Sequence, residues 1–484
     1  MFPSGDEIWT DYRQNTKNEQ PWWTASVSQR SLKSFASTNF RCKLPMPTRT
    51  LKVAIIGGGM FFEDIIGQTF KDFARGGIAG ALNSIGMSHM APAVADVAIH
   101  VCAVGTRSES VGTAGKIVNW FAEDFPEQPI EACYGDAVWQ DILKRHKPDV
   151  LFVATPDNVH TQPILDAIAA GVDVITEKPL CLSTAEADSI IQHADAAGRI
   201  IAVDMHKRYD PFVREMMLKA PQQYGQINRV RAVLEEPLEV STEIFAWAEH
   251  SNPFAYVGCH WLDVVHHYLK VKPVSVFATG QKNLLLNWDT HHAEIARRRG
   301  VDPATFKRRT SINTWDSMDV AVTYDNGMRG DYNNNWINPS EFEGAVNQEI
   351  ELYGIYGRGM VDQQERGYRE AIIGDGSRTR NPSFGGRIRH HGGELEIFGY
   401  GKASIAAGLL AIIRRRILGE SVADLHETYP SAASQRDIVQ VIEAATAVAE
   451  ANYQALNAGR GTPATAVLTS TGFDLIQPRD VPPS

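Results

Sequence analysis

The chain has 484 residues, 43% hydrophobic and 21% charged, with 47 Lys and Arg against 57 Asp and Glu. That length exceeds one ordinary domain, and the composition excludes bulk disorder. The net charge of −10 speaks against a nucleic-acid-binding surface. Residues 1–50 are polar, carry Trp22 and Trp23, and close on Leu44-Pro45-Met46-Pro47 without sustained periodicity. They read as an N-terminal extension, either a loose tail or an arm whose tryptophans dock on a neighbouring subunit. Five scattered cysteines (Cys42, Cys102, Cys133, Cys181 and Cys259) fit reduced thiols, and hence a cytoplasmic protein. No run reaches the ~18 apolar residues of a membrane span. The start lacks the pattern of a secretory signal, and acidic residues ahead of Ser26–Arg49 count against an organelle transit peptide.

At Leu51 the pattern changes. Leu51-Lys52-Val53-Ala54-Ile55-Ile56 is a short apolar run ending in glycines, and residues 98–104, 149–154, 172–175 and 200–203 repeat the type. Helix-like segments such as Thr161–Ala170 and Thr184–Ala197 separate them. Buried strands alternating with helices predict a parallel sheet covered on both faces, an α/β dinucleotide-binding domain over 51–204. After about residue 205 strands arrive in succession (226–235, 273–280, 316–324, 328–335 and 348–355), with a turn at Asp325-Asn326-Gly327. That predicts an α+β domain over 205–460 with a mostly antiparallel sheet. Residues 403–417 and 433–457 read as helices, and 461–484 as a frayed tail.

Four segments carry chemistry. Gly57-Gly58-Gly59-Met60-Phe61-Phe62 closes the first strand, where glycines allow a tight turn and close approach of a pyrophosphate. Phe62 stands where a small residue usually packs, and the second strand starts late, so 63–95 reads as an insertion near the cofactor mouth. After the second strand come Thr106-Arg107-Ser108, without the carboxylate that holds the ribose hydroxyls of NAD. Donors plus a positive charge there favour NADP mildly over NAD. Ala154-Thr155-Pro156-Asp157-Asn158-Val159-His160 and Thr176-Glu177-Lys178-Pro179-Leu180 close two further strands, where open parallel sheets bind ligands. From them Thr155, Pro156, Asn158, His160, Glu177 and Lys178 join Gly57, Gly59, Met60, Phe61, Thr106, Arg107 and Ser108 as expected cofactor contacts.

The fourth segment is Gly258-Cys259-His260-Trp261-Leu262-Asp263-Val264-Val265-His266-His267. In a helix, His260, Asp263 and His267 share one face. A carboxylate one turn before an imidazole can orient it and raise its basicity. A metal would need further ligands in a recognised spacing, so none is expected.

Together the glycine turn, TPDNVH, TEKPL, GCHWLD…H and the late DNG turn followed by ELYGIYGRG resemble the Gfo/Idh/MocA oxidoreductases from Leu51 to about Asn457. The resemblance implies a Rossmann domain joined to an α+β domain whose open-faced sheet forms a homodimer or homotetramer interface. It implies hydride transfer between NAD(P) and a secondary alcohol of a carbohydrate or cyclitol. The family's lysine, aspartate and histidine four residues beyond map onto Lys178, Asp263 and His267, with His266 the competing base. Asp157 departs from the family's usual asparagine. The insertion at 282–312 carries Arg297, Arg298, Arg299, Lys307, Arg308 and Arg309, either a solvated helix face or a lid or subunit contact. Trp336 and Tyr209 are candidate sugar-stacking rings or core. The alternatives are a catalytically silent dinucleotide-sensing regulator of the same fold and an imine or double-bond reductase.

Overall fold

The computed structural model describes residues 49–476 apart from 108–112, 307–308, 310, 343–345, 365–367, 373–375, 382, 391–392 and 460–463. Of Glu63, Asp64, 368–372 and 376–380 it describes the backbone alone. Ser108, Lys307 and Arg308, and the arm at 1–48, lie outside the described residues.

The first sheet is built from β1 (Arg49–Ile56), β2 (Val97–Thr106), β3 (Glu131–Tyr134), β4 (Val150–Val153), β5 (Asp173–Thr176) and β6 (Ile201–Val203). Its order is β3-β2-β1-β4-β5-β6, and all five pairings are parallel. Successive side chains of a strand point to opposite faces, so two cores form. Ala54, Ile56, Leu151, Val153 and Val174 enter one, while Val53, Ile55, Phe152 and Ile175 enter the other. Both faces are covered, which is why these strands read as unbroken apolar runs.

The second sheet comprises β7 (Ile227–Pro237), β8 (Pro273–Gln281), β9 (Ser317–Tyr324), β10 (Arg329–Asn338), β11 (Asn347–Gly354) and β12 (Arg358–Asp362). Two short hairpins follow, β13 (Tyr368–Ile372) with β14 (Gly376–Arg380), and β15 (Gly386–Arg389) with β16 (Leu395–Phe398). The residues expected to form a frayed tail instead supply β17 (Thr465–Leu468) and β18 (Phe473–Ile476). The sheet order is β12-β11-β7-β10-β9-β8-β17-β18, antiparallel except between β7 and β10. Gly327, at φ +81°, makes the turn between β9 and β10. Burial alternates along β9 and β10, the signature of a sheet packed on one face only.

Residues 205–460 do not serve the second sheet alone. The helix Tyr400–Arg416 returns to the first sheet, where Ile405, Leu409, Ile412 and Ile413 share a core with Phe70, Phe152 and Ile175. Gly408 sits against Ile175 and Ala202, leaving little room for a side chain. The helix Ala432–Asn457 packs on β8 and on the helix Thr184–Ala197, so one rod touches both sheets.

The described residues of the two insertions form short helices and turns. Phe62–Ile66 is one π-turn leading into the helix Gly67–Gly76, and short turns with the helix Ala91–Val94 complete the first. In the second, the helix Trp288–Arg299 turns Arg297 and Arg298 onto Glu294, and Arg299 onto Glu239 and Glu341. Arg309 donates to the carbonyls of Ser241 and Phe245. The described arginines are thus spent on local ion pairs and caps.

Candidate active site

Gly57, at φ +99°, turns the chain at the end of β1, and a Cβ there would stand 2.0 Å from the Ala154 carbonyl oxygen. Only glycine fits. At Gly59 a Cβ would meet nothing within 4 Å, and the helical chain starts directly behind it. Across the same sheet end, buried Thr155 Oγ1 has no partner within the protein. Open backbone and an unspent hydroxyl at the carboxyl ends of parallel strands fit a bound dinucleotide. Thr106 is buried at the end of β2, Arg107 is exposed beside it, and Asn158 is exposed. His160 differs from its expected role as a direct contact. It is wholly buried, with Nδ1 2.8 Å from the Pro179 carbonyl and Nε2 2.9 Å from that of Thr155. It braces the loops after β4 and β5.

Beside this end lies a cavity of about 880 Å³. Lys178, His206, Lys207 and His260 line it, with Glu236 from β7, Gln348 from β11 and Tyr256 from the turn before the helix Cys259–Leu269. Met60 and Phe61 form part of its wall, as do Phe384, Arg387 and Phe398 of the last hairpin region, with the Phe61 and Phe384 rings 5.7 Å apart. Phe61 stacks on His206 with centroids 5.7 Å apart. The His206 and His260 rings lie 4.3 Å apart, and the Nδ1 atom of each is buried without a partner. Lys178 precedes a cis proline, and its ammonium donates to the Tyr256 carbonyl at 2.9 Å and sits 3.4 Å over the Tyr256 ring.

Burial sets the electrostatics. It lowers both cavity imidazoles well below 6.5, and the nearby lysines lower them further, so both rings are neutral at neutral pH. It raises the carboxyls of Asp157 and Asp204 to about 6 and that of Glu236 to about 7, each pulled partly back by Lys178. Glu177 is raised too, first by burial and then by the neighbouring Asp204 carboxyl.

Asp263 and His267 are not in this cavity, and here the expected catalytic set is corrected. Asp263 is 1% exposed and takes both Arg208 Nε and a second guanidinium N–H at 2.5 Å, while Gln435 donates to it at 2.7 Å. His267 Nδ1 lies 3.2 Å from the same guanidinium, and burial followed by Arg208 lowers the ring to about 4. His266 is likewise lowered to about 4 by burial and packs edge-on against Tyr324. The helix rises ~1.5 Å per residue, so of the three residues on one face only His260, at its start, reaches the cavity. Four residues before His260 stands Tyr256, whose phenol burial holds well above its ordinary range. Trp336 is fully buried and Tyr209 packs against the first-sheet core, so neither faces the cavity.

Among the described residues, one group of metal-ligand types comes within 4.8 Å, Glu131, Cys133 and His146. It lies on β3 and the helix after it, outside the cavity lining, and Arg145 donates to both Glu131 and Cys133.

Two outcomes follow from this geometry. Asp263→Ala strands a buried guanidinium, so it should cost about 3–5 kcal/mol of stability in urea denaturation. A small loss would mean that the pair is dispensable. For Asp157, whose folded value of about 6 exceeds the unfolded ~3.9, the native state binds the extra proton. Stability therefore falls as pH rises between those values, and the cost persists above them. Asp157→Asn should gain roughly 1–3 kcal/mol at pH ~8 and little at pH ~4; equal gains at both would reject this account.

The family model described as "Oxidoreductase family, NAD-binding Rossmann fold" matches residues 51–205, and the GFO/IDH/MocA C-terminal domain model matches residues 217–358. D-glucoside 3-dehydrogenase of Escherichia coli (strain K12) is 27% identical over 153 residues, 29% of this chain and 43% of that protein. Inositol 2-dehydrogenase of Acidiphilium cryptum (strain JF-5) is 26% identical over 205 residues, 42% of this chain and 46% of that protein. The chain thus spans less than half the length of these curated relatives. The crystal structure of scyllo-inositol dehydrogenase from Lactobacillus casei, with bound NAD(H) and scyllo-inositol, shares the fold at a TM-score of 0.53 and 14% identity. That match covers 84% of this chain and 98% of that one. Matched across both of its sheets, the chain belongs to the Gfo/Idh/MocA oxidoreductase family.

Proposed function

We propose that the protein exchanges hydride between NAD(P) and a secondary alcohol of a sugar, glycoside or cyclitol, with Lys178 and His260 as the catalytic pair. The observation that carries this reading is the shared cavity. An ammonium from the end of β5 and a neutral imidazole from the helix Cys259–Leu269 line one space beside the dinucleotide end of the first sheet. In this reading Gly57, Gly59, Met60, Phe61, Thr106, Arg107, Thr155 and Glu177 hold the cofactor, which when bound supplies the hydride acceptor or donor.

His260 takes the hydroxyl proton in the oxidative direction and returns it in the reductive one. Burial keeps the ring unprotonated and so ready to accept, and positioned proton transfer of this kind contributes roughly 10²–10⁴-fold. A lysine ammonium has three donors. The Tyr256 carbonyl takes one, and another is offered to the reacting oxygen, stabilising the charge that builds there. A reductase acting on an imine or a double bond would have no hydroxyl to deprotonate, so the neutral imidazole favours the alcohol.

Arg107 supports NADP(H), since a cation at the end of β2 answers a 2′-phosphate. The outward residues of β9 and β10, exposed or half-buried, support assembly into a dimer or tetramer. Among the described residues no helix is long and apolar enough to cross a membrane.

Sugars, glycosides and inositols screened with both cofactors by nicotinamide absorbance test the reading. Lys178→Ala and His260→Ala should each lower turnover at least about 100-fold while NADH fluorescence still reports binding. His267→Ala should leave the residual folded enzyme far more active than His260→Ala. The reverse order would return the base role to His267. Arg107→Ala should weaken NADPH about tenfold more than NADH, as expected for one lost charge-assisted phosphate contact; equal losses would reject the 2′-phosphate role.

A further inference from the structure

We propose that Glu236 is a substrate-binding residue whose carboxylate accepts a hydrogen bond from a hydroxyl adjacent to the reacting one, so that the cavity selects vicinal diols. This rests on the hydride-transfer reading above. Among the described lining residues Glu236 is the one carboxyl. The other polar ends belong to lysines, an arginine, amides, the two imidazoles and the Tyr256 phenol, so donors abound and a second charged acceptor is not among them. A polyol presents hydroxyl donors as well as acceptors, and Glu236 meets the donors.

The carboxyl is built into the wall. It stands at the end of β7, and the Trp336 indole N–H donates to Oε2 at 3.0 Å, fixing the side chain. The group is accessible only in part. An ionised carboxylate offers about four acceptor positions, so one indole bond leaves it under-satisfied in a site that resists charge. A ligand hydroxyl supplies what is missing.

The charge balance points the same way. Lys178 and Lys207 both draw Glu236 toward ionisation against the burial that raises it to about 7. The other titratable groups around the cavity are Tyr256, His206 and His260, with Arg387 at the rim. The phenol is held well above its ordinary range and both imidazoles well below theirs. Of the lining groups only Glu236 changes charge near neutrality; Asp157 and Asp204, which face Lys178 from outside the lining, sit lower at about 6. A diol that donates to the carboxylate binds the ionised form, so affinity should fall as pH drops through about 7.

The test uses the full chain with NAD(P)+ and the diols myo-inositol, D-glucose and methyl α-D-glucoside, together with deoxy analogues such as 2-deoxy-D-glucose. Glu236→Gln should raise KM for whichever diol the wild type oxidises by about tenfold or more, with a smaller change in kcat. It should also flatten the acid limb of kcat/KM near neutrality, and leave NADH affinity by fluorescence unchanged. Should the variant fold poorly, the wild type decides alone, because the oxidised diol and its analogue deoxygenated next to the reacting carbon should then differ by a similar factor. Unchanged KM and pH profile in the variant, or equal kcat/KM for the diol and that analogue, overturns the assignment of Glu236. Wild-type protein that binds NADH and oxidises none of the panel overturns instead the sugar reading beneath it.

Discussion

The site depends on one buried ammonium. Lys178 is 4% exposed and acts electrostatically on four carboxyls, Asp157, Glu177, Asp204 and Glu236, each raised by burial. Without that charge, ionising any of the four would cost more still, because burial penalises an uncompensated ion. The same ammonium pushes protons off His206 and His260. Burial is the larger cause in every case, and the ammonium adds to it at the two imidazoles while opposing it at the four carboxyls. The ammonium also links the two sheets, since Glu236 comes from β7 and the carbonyl that anchors Lys178 belongs to Tyr256.

The helix Cys259–Leu269 separates chemistry from support along its length. Its first turn brings His260 to the cavity, and its later turns enter the ion pair of Asp263 with Arg208. Gln435 and Ser434 extend that network to the helix Ala432–Asn457. The Tyr268 hydroxyl closes it by donating to the Arg208 carbonyl at 2.7 Å. The helix that carries His260 is thereby anchored from its far end by hydrogen bonds outside the cavity lining.

These arrangements explain what was legible in the sequence. Unbroken apolar runs announced β1, β4 and β5 because both faces of that sheet are covered, and Gly57 announced the turn because no other residue fits. The choice among the histidines was not legible. His260, Asp263 and His267 lie at helical spacing on one face, and a carboxylate one turn before an imidazole fits Asp263 with His267 as readily as any catalytic pair. Which end of the helix faces the cavity is set by β7 and the Tyr256 turn, which local spacing does not place. His160 was misjudged for a similar reason. Its position beside Thr155 suggested a ligand contact, and only the fold shows both ring nitrogens taken by backbone carbonyls. The return of Tyr400–Arg416 to the first sheet was hidden because that helix is apolar over most of its circumference and carries no stripe naming its partner.

The second insertion has a role that its charge disguised. Its basic run reads as a solvated helix face or else a lid or subunit contact. Of the described arginines, Arg297 and Arg298 pair with Glu294, Arg299 reaches Glu239 and Glu341, and the apolar residues matter more. Leu285, Trp288 and Ile312 form a separate core with Leu238, Phe245 and Trp336, and Met60 and Tyr256 pack against it. Trp336 is the residue that fixes Glu236, and Met60 and Tyr256 are cavity wall. A close-packed core transmits displacement because it holds few voids to absorb one. The insertion therefore packs behind the indole that bonds Glu236, while its described arginines pair elsewhere.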